Sequence, residues 1–304
     1  MKKHAYLIIA HNEFYILEKL LKLLDDKRND IYLHIDKKTK NFDFEYFEKL
    51  MKKSKIYFTP RISVGWAMDT QAKCELLLLK EATKKKYEYY HLLSGVDLPL
   101  KSQDEIHEFF DNCGKKEFVH FCYHHSIEGN ILDRIKYYHL FMKNIRSGSK
   151  YKKIISQKMH SICLKVQKLF KMSRIKNNEN IFYYGAQWFS ITDDLARYII
   201  SKEKFIWKHF KDTSCCDELF LQTIVYNSDF YKNLYLYEDD NYAQIMRYID
   251  WKRGEPYTFT KEDYDLLMNS NMFFARKFST STEERKQIVD EIYESIKINK
   301  KAKK

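Results

Sequence analysis

Short apolar runs alternate with amphipathic stretches through the first third of the chain, and this alternation limits the possible folds more than any other feature. Apolar runs occur in "HAYLIIAHN", "DIYLHIDKK", "SKIYFTP" and "YEYYHLLSG", and helical spacing of apolar residues occurs in "YILEKLLKLLDD" and "MDTQAKCELLLLKEATKK". Strands that alternate with helices are typical of a parallel sheet covered by helices. In "SQDEIHEFF", Ser102 and Glu105 have the spacing of a capping box at a helix start. The sequence predicts an α/β fold with a mixed, mostly parallel sheet.

The later part of the chain shows no repeat and no clear domain boundary. "EFVHFCYHH" and "IFYYGAQWFSIT" predict strands, and "DELFLQTIVYNS" predicts a helix. "DDLARYIISKE" predicts a helix capped by Asp193 or Asp194. We therefore predict one domain over residues 1–280, followed by a C-terminal helix and a basic tail over residues 281–304.

The net charge of +12 favours an anionic partner, such as a nucleotide diphosphate, a nucleic acid or an acidic membrane face. No apolar run approaches the roughly 20 residues of a spanning helix, and the one near the N-terminus is too short for a signal peptide. We expect a cytoplasmic protein, with peripheral contact to the inner membrane face through its basic surface as an open alternative. The six scattered cysteines are expected to be free thiols.

Polar clusters follow four of the predicted strands: "AHNE" (10–13), "HIDKK" (34–38), "SGVDLPLK" (94–101) and "GAQWF" (185–189). Ligands of open α/β sheets bind at the carboxyl ends of strands, so these clusters predict one binding site. Neither a glycine-rich dinucleotide motif nor a P-loop is present, and those two classes lose their main support.

The same strand ends carry a resemblance to a known family. "HAYLIIAHNEFYILEKLL", "IYLHIDKK", "YYHLLSGVDLPLKSQDEI", "GAQWFSIT", "DELFLQT", "RYIDW" and "FFARKF" resemble, in order, the core-2/I-branching glycosyltransferases. That family holds β-1,6-N-acetylglucosaminyltransferases and peptide O-xylosyltransferases. The resemblance implies a GT-A fold and inverting transfer from a UDP-sugar, without a divalent metal or other cofactor.

The metal-binding Asp-x-Asp motif of most GT-A enzymes is absent, as the resemblance implies. The nearest match is Glu238 to Asp240 in "YEDDN", which suits a solvated loop. A metal-dependent enzyme that uses Glu238 and Asp240 stays open as an alternative.

The resemblance places the catalytic base on Glu218 in "CCDELFLQT", with Asp217 beside it as a helix cap. Inverting transfer needs a base on the acceptor hydroxyl, and a carboxylate can take that proton. The alternative is that both acidic residues only stabilise a helix N-terminus.

The resemblance also implies the donor site. The nucleoside contacts fall on Ala10, His11, Asn12, Asp36, Lys37, Lys38, Val64, Gly65 and Trp66. For the departing diphosphate, "FFARKF" offers Arg276 and Lys277, of which Lys277 is the family's match. The family's upstream arginine has no counterpart at its position near Tyr257, and Arg253 is the nearest substitute.

The acceptor is expected between "GVDLPL", "GAQWF" and "RYIDW", with a loosely matched stretch in "ILDRIKYY". The candidate acceptor residues are Asp97, Arg134, Lys136, Gln187, Trp188, Asp250 and Trp251. Tryptophans offer apolar faces to a sugar, and the polar side chains bind hydroxyls.

The resulting hypothesis is a UDP-sugar transferase that builds a surface glycan, acting on a carbohydrate or glycolipid acceptor. N-acetylglucosamine in β-1,6 linkage is the first choice of donor sugar, and xylose or another sugar is the alternative. A basic nucleic-acid-binding protein is the alternative of another class, although no nucleic-acid-binding motif is present.

Overall fold

The structure of the chain, a computed structural model, describes residues 2–126, 129–145, 149–175 and 182–302. Its strands are β1 (His4–Ala10), β2 (Asn29–Ile35), β3 (Lys55–Phe58), β4 (Tyr89–Ser94), β5 (Leu98–Pro99), β6 (Phe118–Val119), β7 (Phe189–Thr192), β8 (Arg247–Ile249) and β9 (Phe274–Arg276). Its helices are α1 (Phe14–Leu24), α2 (Phe44–Leu50), α3 (Thr70–Ala82), α4 (Gln103–Asn112), α5 (Tyr123–Ser126), α6 (Gly129–Lys136), α7 (Lys150–Leu169), α8 (Asp193–Ser201), α9 (Glu203–Phe210), α10 (Phe220–Tyr226), α11 (Tyr264–Met268) and α12 (Glu283–Ala302).

In the described part of the chain, the main sheet has the strand order β3-β2-β1-β4-β7-β6. β1 pairs in parallel with β2 and β4, and β2 pairs in parallel with β3. β7 is antiparallel to both β4 and β6. The predicted mixed and mostly parallel sheet flanked by helices is confirmed.

Alternate residues of β1 pack into two different cores, one on each face of the sheet. Leu7 packs with α3 residues such as Leu79 on one face, and Ile8 packs with α1 residues such as Leu20 on the other. A central parallel strand is buried on both faces, which explains why "HAYLIIA" is continuously apolar. α12 joins the second core through residues such as Ile292, and the predicted domain boundary at residue 280 stays a prediction.

A smaller sheet, with the order β5-β9-β8, is joined to the main sheet by one buried arginine. Arg247 is 1% exposed, and its Nη2 donates to the carbonyl oxygens of Leu92 on β4 and Phe189 on β7, at 2.9 and 2.8 Å. Its Nη1 donates to the Ile245 oxygen at 2.7 Å. Burial lowers the pKa of Arg247 to about 9. These charged hydrogen bonds hold β8, and with it β9, against the main sheet.

β6 and β7 are shorter than the predicted strands, because the backbone next to them bonds to other loops. The Gly185 nitrogen donates to the Glu218 oxygen at 3.0 Å instead of to a sheet neighbour. A side chain at this position would put its Cβ 1.9 Å from the His120 carbonyl oxygen, so the close approach requires glycine. Residue 181, at the start of the second predicted strand, lies outside the described residues.

The N-cap of α8 is Thr192, and not Asp193 or Asp194 as predicted. The Thr192 hydroxyl accepts from the Leu195 nitrogen at 3.3 Å. The Asp193 carboxylate is already bound to the Tyr90 hydroxyl, at 2.6 Å.

Two other expectations agree with the structure. α4 begins with the capping box of Ser102 and Glu105. All six cysteines are free thiols. None of the described helices combines the length and the apolar character needed to cross a bilayer.

Replacing Arg247 by Lys is expected to lower the free energy of unfolding by about 2–4 kcal/mol, because an ammonium group cannot donate to these carbonyls as a planar fork does. Urea denaturation measures the change. Arg285→Lys on the exposed face of α12 is the matched control, expected to stay within about 0.5 kcal/mol of wild type. Equal losses in the two variants would contradict the bridging role of Arg247.

Candidate functional site

A cavity of about 450 Å³ opens at the carboxyl ends of β1, β2 and β4, where the polar clusters predicted a site. We call it the strand-end cavity. It is lined by Ile9, Ala10, His11, Asp36, Lys38, Thr39, Val64, Trp66, Gln71, Ser94, Gln187, Trp188 and Arg276. Parallel strands bring their carboxyl ends to one edge, so residues distant in sequence meet here.

The strand-end cavity collects most of the predicted donor residues but not all of them. Ala10, His11, Asp36, Lys38, Val64, Trp66 and Arg276 line it, together with two predicted acceptor residues, Gln187 and Trp188. Asn12, Lys37, Gly65 and Lys277 adjoin lining residues in sequence without lining it themselves. The nucleoside part of the donor hypothesis therefore falls on one continuous surface.

Asp36 holds the wall of this cavity together. Its Oδ1 accepts from the Lys38 nitrogen at 2.7 Å, and its Oδ2 accepts from the Val64 nitrogen at 3.1 Å. The Lys38 ammonium donates to the Val64 oxygen at 2.6 Å. Burial lowers the pKa of the neighbouring His11, whereas the charge of Asp36 opposes that shift. Asp36 thus fixes the loop after β3 against the end of β2.

Arg276 supplies a buried positive charge to the cavity. Its guanidinium carbon lies 4.0 Å from the ring centroid of Trp188, and its Nε lies 3.7 Å from Asp97 Oδ1. Burial lowers the pKa of Arg276, and Asp97 opposes that shift. Asp97 itself is 1% exposed and accepts from the Ser94 nitrogen at 2.9 Å. Asp97 is therefore placed to orient Arg276 from the protein interior. The sequence analysis had instead predicted that Asp97 contacts the acceptor.

Three carboxyl groups gather behind the cavity, on α3 and on the turn at Cys216–Glu218. Gln71 and Gln187 line the cavity and donate to two of them: Gln71 to Asp217 Oδ2 at 3.0 Å, and Gln187 to Glu75 Oε1 at 3.3 Å. The prediction that Asp217 caps a helix is wrong. Helix α10 begins only at Phe220, and its N-cap residue is Leu219. Asp217 is buried against α3 instead.

Burial raises the pKa of all three acids in this group. The pKa of Glu75 lies well above its usual range, because of burial and the charges of Asp217 and Glu218. Burial and the charge of Glu218 raise the pKa of Asp217 to about 8. Burial also raises the pKa of Glu218, and the Arg134 guanidinium opposes that shift.

Glu218 is the partly exposed member of the group, with 30% of its side chain accessible. Arg134, predicted as an acceptor contact, donates from Nη1 to Glu218 Oε2 at 2.9 Å. The Glu218 backbone is held between Cys215 and Gly185, since the Glu218 nitrogen donates to the Cys215 oxygen at 3.2 Å. A carboxylate in this setting is both oriented and more basic than a free one, which suits a general base.

A second cavity, of about 660 Å³, lies on the other side of the Ile249–Arg276 strand pair. We call it the β8 cavity. It is lined by Asp240, Tyr242, Arg247, Tyr248, Ile249, Asp250, Trp251, Lys252, Arg253, Leu266 and Met272. Four of the seven predicted acceptor residues are therefore divided between the two cavities, and Asp97 and Arg134 line neither. Lys136 lines neither cavity, and its ammonium lies 5.5 Å from the Tyr137 ring centroid.

Arg253 lies in the β8 cavity and does not reach the strand-end cavity. Its Nε and Nη1 donate to Asp250 and Asp263, both at 2.6 Å, and its guanidinium stacks 4.1 Å from the Tyr257 ring. Asp250 also accepts from the Lys252 nitrogen at 2.9 Å. Trp251 is half exposed at the rim of the same cavity.

Tyr242 is one of the aromatic residues of the β8 cavity. It lines the β8 cavity and stacks on His120 at 4.3 Å. Burial raises its pKa, and the charge of Glu218 adds to that shift. The β8 cavity therefore lies near the candidate base.

The residues of the metal-dependent alternative do not form a joint ligand set. The Glu238 carboxylate accepts from Asn241 at 2.6 Å, whereas Asp240 lies 3.3 Å from His120 Nε2. Among the described residues, the side chains close enough to share an ion are instead Cys122, His124 and Asp239. His124 and Asp239 are hydrogen-bonded to each other at 2.6 Å.

Gln71, Glu75 and Tyr242 were missed by the sequence analysis. The signal for the first two was present, because they lie four residues apart on one face of α3, with a charged residue inside the apolar run "CELLLL". Nothing in the sequence around Tyr242 distinguishes it from the other 23 tyrosines.

The fold and the strand-end cavity define an α/β protein with an open cavity at the carboxyl edge of a mostly parallel sheet. The model of the core-2/I-branching enzyme family matches residues 4–273, and the chain belongs to that family. It is therefore a glycosyltransferase, as the resemblance implied, with a sugar donor and an acceptor as its substrates.

Two solved structures are similar to the chain at low sequence identity. The crystal structure of mouse xyloside xylosyltransferase 1, in its apo form, is 11% identical and covers 93% of this chain and 99% of that one, with a TM-score of 0.38. A putative glucose-1-phosphate thymidylyltransferase from Bacillus anthracis, in complex with a sucrose, is 11% identical and covers 68% and 78%, with a TM-score of 0.31. No curated protein matches the chain.

Replacing Asp217 by Asn is expected to stabilise the protein at pH 8, with the difference shrinking toward about pH 4. The native carboxyl group, with a pKa of about 8, holds its proton more tightly than the unfolded one, so its contribution to stability falls as the pH rises between the two pKa values. Asn keeps an oxygen acceptor for Gln71. Urea denaturation across this pH range measures the difference. Asp229→Asn, fully exposed, is the control, and an Asp217→Asn curve parallel to wild type would refute the burial of a titrating acid.

Proposed function

We propose that the protein transfers a sugar from a UDP-sugar to a carbohydrate hydroxyl by a single displacement that inverts the anomeric carbon, without a divalent metal. Glu218 takes the proton of the acceptor hydroxyl while the hydroxyl oxygen forms a bond to the anomeric carbon. The bond from that carbon to the diphosphate oxygen breaks, and its electron pair leaves with UDP. N-acetylglucosamine in β-1,6 linkage is the donor we propose, with xylose as the alternative.

The observation that carries this proposal is the setting of Glu218. It is the most accessible of three carboxyl groups of raised pKa and is oriented by Arg134. It lines neither cavity itself, but its neighbour Asp217 is bound by Gln71, which lines the strand-end cavity together with Arg276. A base works best when its pKa approaches the working pH, and general-base catalysis contributes roughly 10²–10⁴-fold. Burial shifts the pKa of Glu218 upward, in that direction, and the hydrogen bond with Arg134 supplies the orientation.

Positive side chains would take the place of a metal at the leaving group. Arg276 is buried in the cavity wall, where a fixed charge acts through a lower dielectric than water. Lys277 follows it in the chain and is half-buried. Negative charge that accumulates on the departing diphosphate would be stabilised by this pair, because oriented charges cost no reorganisation during the reaction.

The two cavities suit the two substrates. The uridine end would lie along His11, Asp36 and Trp66, where an exposed indole can stack on a base. The acceptor would enter from the β8 cavity, where Trp251 offers an apolar face and Asp250 a hydrogen-bond acceptor. A glycan or glycolipid of the cell surface is the acceptor class that we propose, with synthesis on the cytoplasmic side.

Glu218→Gln is expected to lower kcat about 10²–10⁴-fold while the Kd for UDP changes little, because the amide keeps the shape but cannot accept the proton. Transfer to an acceptor measures kcat, and calorimetric titration with UDP measures Kd. Glu81→Gln on the outer face of α3 is the control. Turnover near wild type in the Glu218 variant would remove the base from the proposal.

UDP binding and transfer are expected to persist in EDTA, and to weaken about 10- to 100-fold in Arg276→Gln and in Lys277→Gln, because each substitution removes one charged contact to phosphate. Thermal shift with a panel of UDP-sugars, with and without EDTA, reports binding and identifies the sugar.

Lys252→Gln in the β8 cavity makes the same charge change and is expected to leave UDP binding intact. Loss of transfer in EDTA that Mn²⁺ restores would favour the alternative that uses Glu238 and Asp240.

A further inference from the structure

Helix α7 exposes its apolar side chains and turns polar ones toward the protein, the reverse of an ordinary surface helix. Its buried side chains, among those described, are Ser156 and Gln167. Gln167 is tied to the protein by two hydrogen bonds with the Tyr138 backbone, at 2.8 and 2.9 Å. A surface helix normally buries its apolar stripe. The stripe of α7 has no such cover in the described part of the chain.

Six of the seven large exposed apolar residues of α7 form one continuous stripe. They are Tyr151, Ile155, Met159, Ile162, Val166 and Leu169, which follow one another at steps of three or four residues, and the seventh is Ile154. Such steps keep side chains on one face of a helix. Tyr151 is 81% exposed, Ile162 59% and Leu169 77%. A contiguous apolar surface of this kind is typical of an interaction site.

Lysines border the apolar stripe on both sides. At about 100° per residue, Lys158 and Lys165 lie along one edge and Lys152 along the other. These three have no ion-pair partner among the described residues. The segment of residues 134–178 contains thirteen Lys and Arg and no Asp or Glu, so the rest of the chain is close to neutral. The net positive charge of the sequence therefore resides in the segment that contains α7.

We propose that α7 docks the protein on an anionic lipid bilayer, with the apolar stripe at the acyl boundary and the flanking lysines among the headgroup phosphates. A helix with an apolar face between basic residues suits the membrane interface. A second copy of the chain would bring an equally positive helix against this one, and the two would repel. A nucleic acid would pair with the lysines but would leave the aliphatic stripe in water.

This surface is coupled to the candidate base through α6. Lys168 on α7 donates to Asp133 at 2.8 Å, and the Arg174 nitrogen donates to the Lys136 oxygen at 3.0 Å. Asp133 and Lys136 lie on α6, which also carries Arg134, the partner of Glu218. Helix α6 therefore contacts both α7 and the Glu218 carboxylate.

Co-sedimentation of the full-length chain with vesicles tests the proposal. Phosphatidylcholine vesicles that contain about 30 % phosphatidylglycerol are expected to bind the protein, and pure phosphatidylcholine vesicles to bind it at least about 10-fold more weakly. Binding is expected to fall as the salt concentration rises, because salt screens the attraction.

Two sets of substitutions separate the contributions. Ile155→Asn with Ile162→Asn keeps the charge and is expected to weaken binding about 100-fold or more, because two apolar side chains no longer leave water. Lys152→Gln with Lys158→Gln and Lys165→Gln is expected to weaken it on the order of 100-fold. Lys49→Gln with Lys52→Gln and Lys53→Gln, near α2, removes the same charge and is the control, expected to bind like wild type.

Three results would overturn the proposal. The first is equal binding to neutral and anionic vesicles, and the second is an equal loss in the two lysine triples, which would mean that net charge alone drives binding. The third is a concentration-dependent dimer in sedimentation velocity that the Ile155 and Ile162 substitutions dissolve, since the stripe would then belong to a second copy. Circular dichroism with a thermal melt checks that each variant is folded.

Discussion

The position of Arg276 in the strand-end cavity depends on the buried guanidinium of Arg247. Its hydrogen bonds to the carbonyl oxygens of β4 and β7 hold the smaller sheet on the larger one. β9 lies next to β8 in that smaller sheet and ends at Arg276, which covers the Trp188 ring. A positive charge on one sheet is thereby fixed against the cavity wall of the other. Burial destabilises the charged form of Arg247, as its lowered pKa shows, and hydrogen bonds to the surrounding carbonyl oxygens offset this destabilisation.

Burial and the presence or absence of an opposite charge also determine the pKa shifts of the three acidic residues. Among the residues that the structure describes, no cationic side chain forms an ion pair with Glu75 or Asp217, and burial and the charges of neighbouring carboxylates raise the pKa values of both. Glu218 differs because Arg134 binds it and solvent reaches it. Arg134 and solvent therefore favour the charged form of Glu218. Environment alone gives chemically similar carboxyl groups different roles.

How much of this was predictable varies with the range of the interaction. The α/β class and the carboxyl-edge site followed from local periodicity and strand ends, and Ala10, His11 and Asp36 do line the cavity. The cap assignments at Asp193 and Asp217 were wrong, because both carboxylates bind side chains far away in sequence, Tyr90 and Gln71. Local sequence patterns do not indicate partners that are distant in sequence.

The sequence by itself determined the alternation of strands and helices, the polar residues at the strand ends, the family and the acid-free basic segment. Each of these features depends on residues that are close together in the sequence. Only the tertiary structure decided that Arg134 binds Glu218, that Arg253 and Trp251 belong to a separate cavity, and that α7 faces outward with its apolar stripe. Those outcomes depend on which surfaces meet when the chain packs, and residues 84 positions apart, such as Arg134 and Glu218, become neighbours only then.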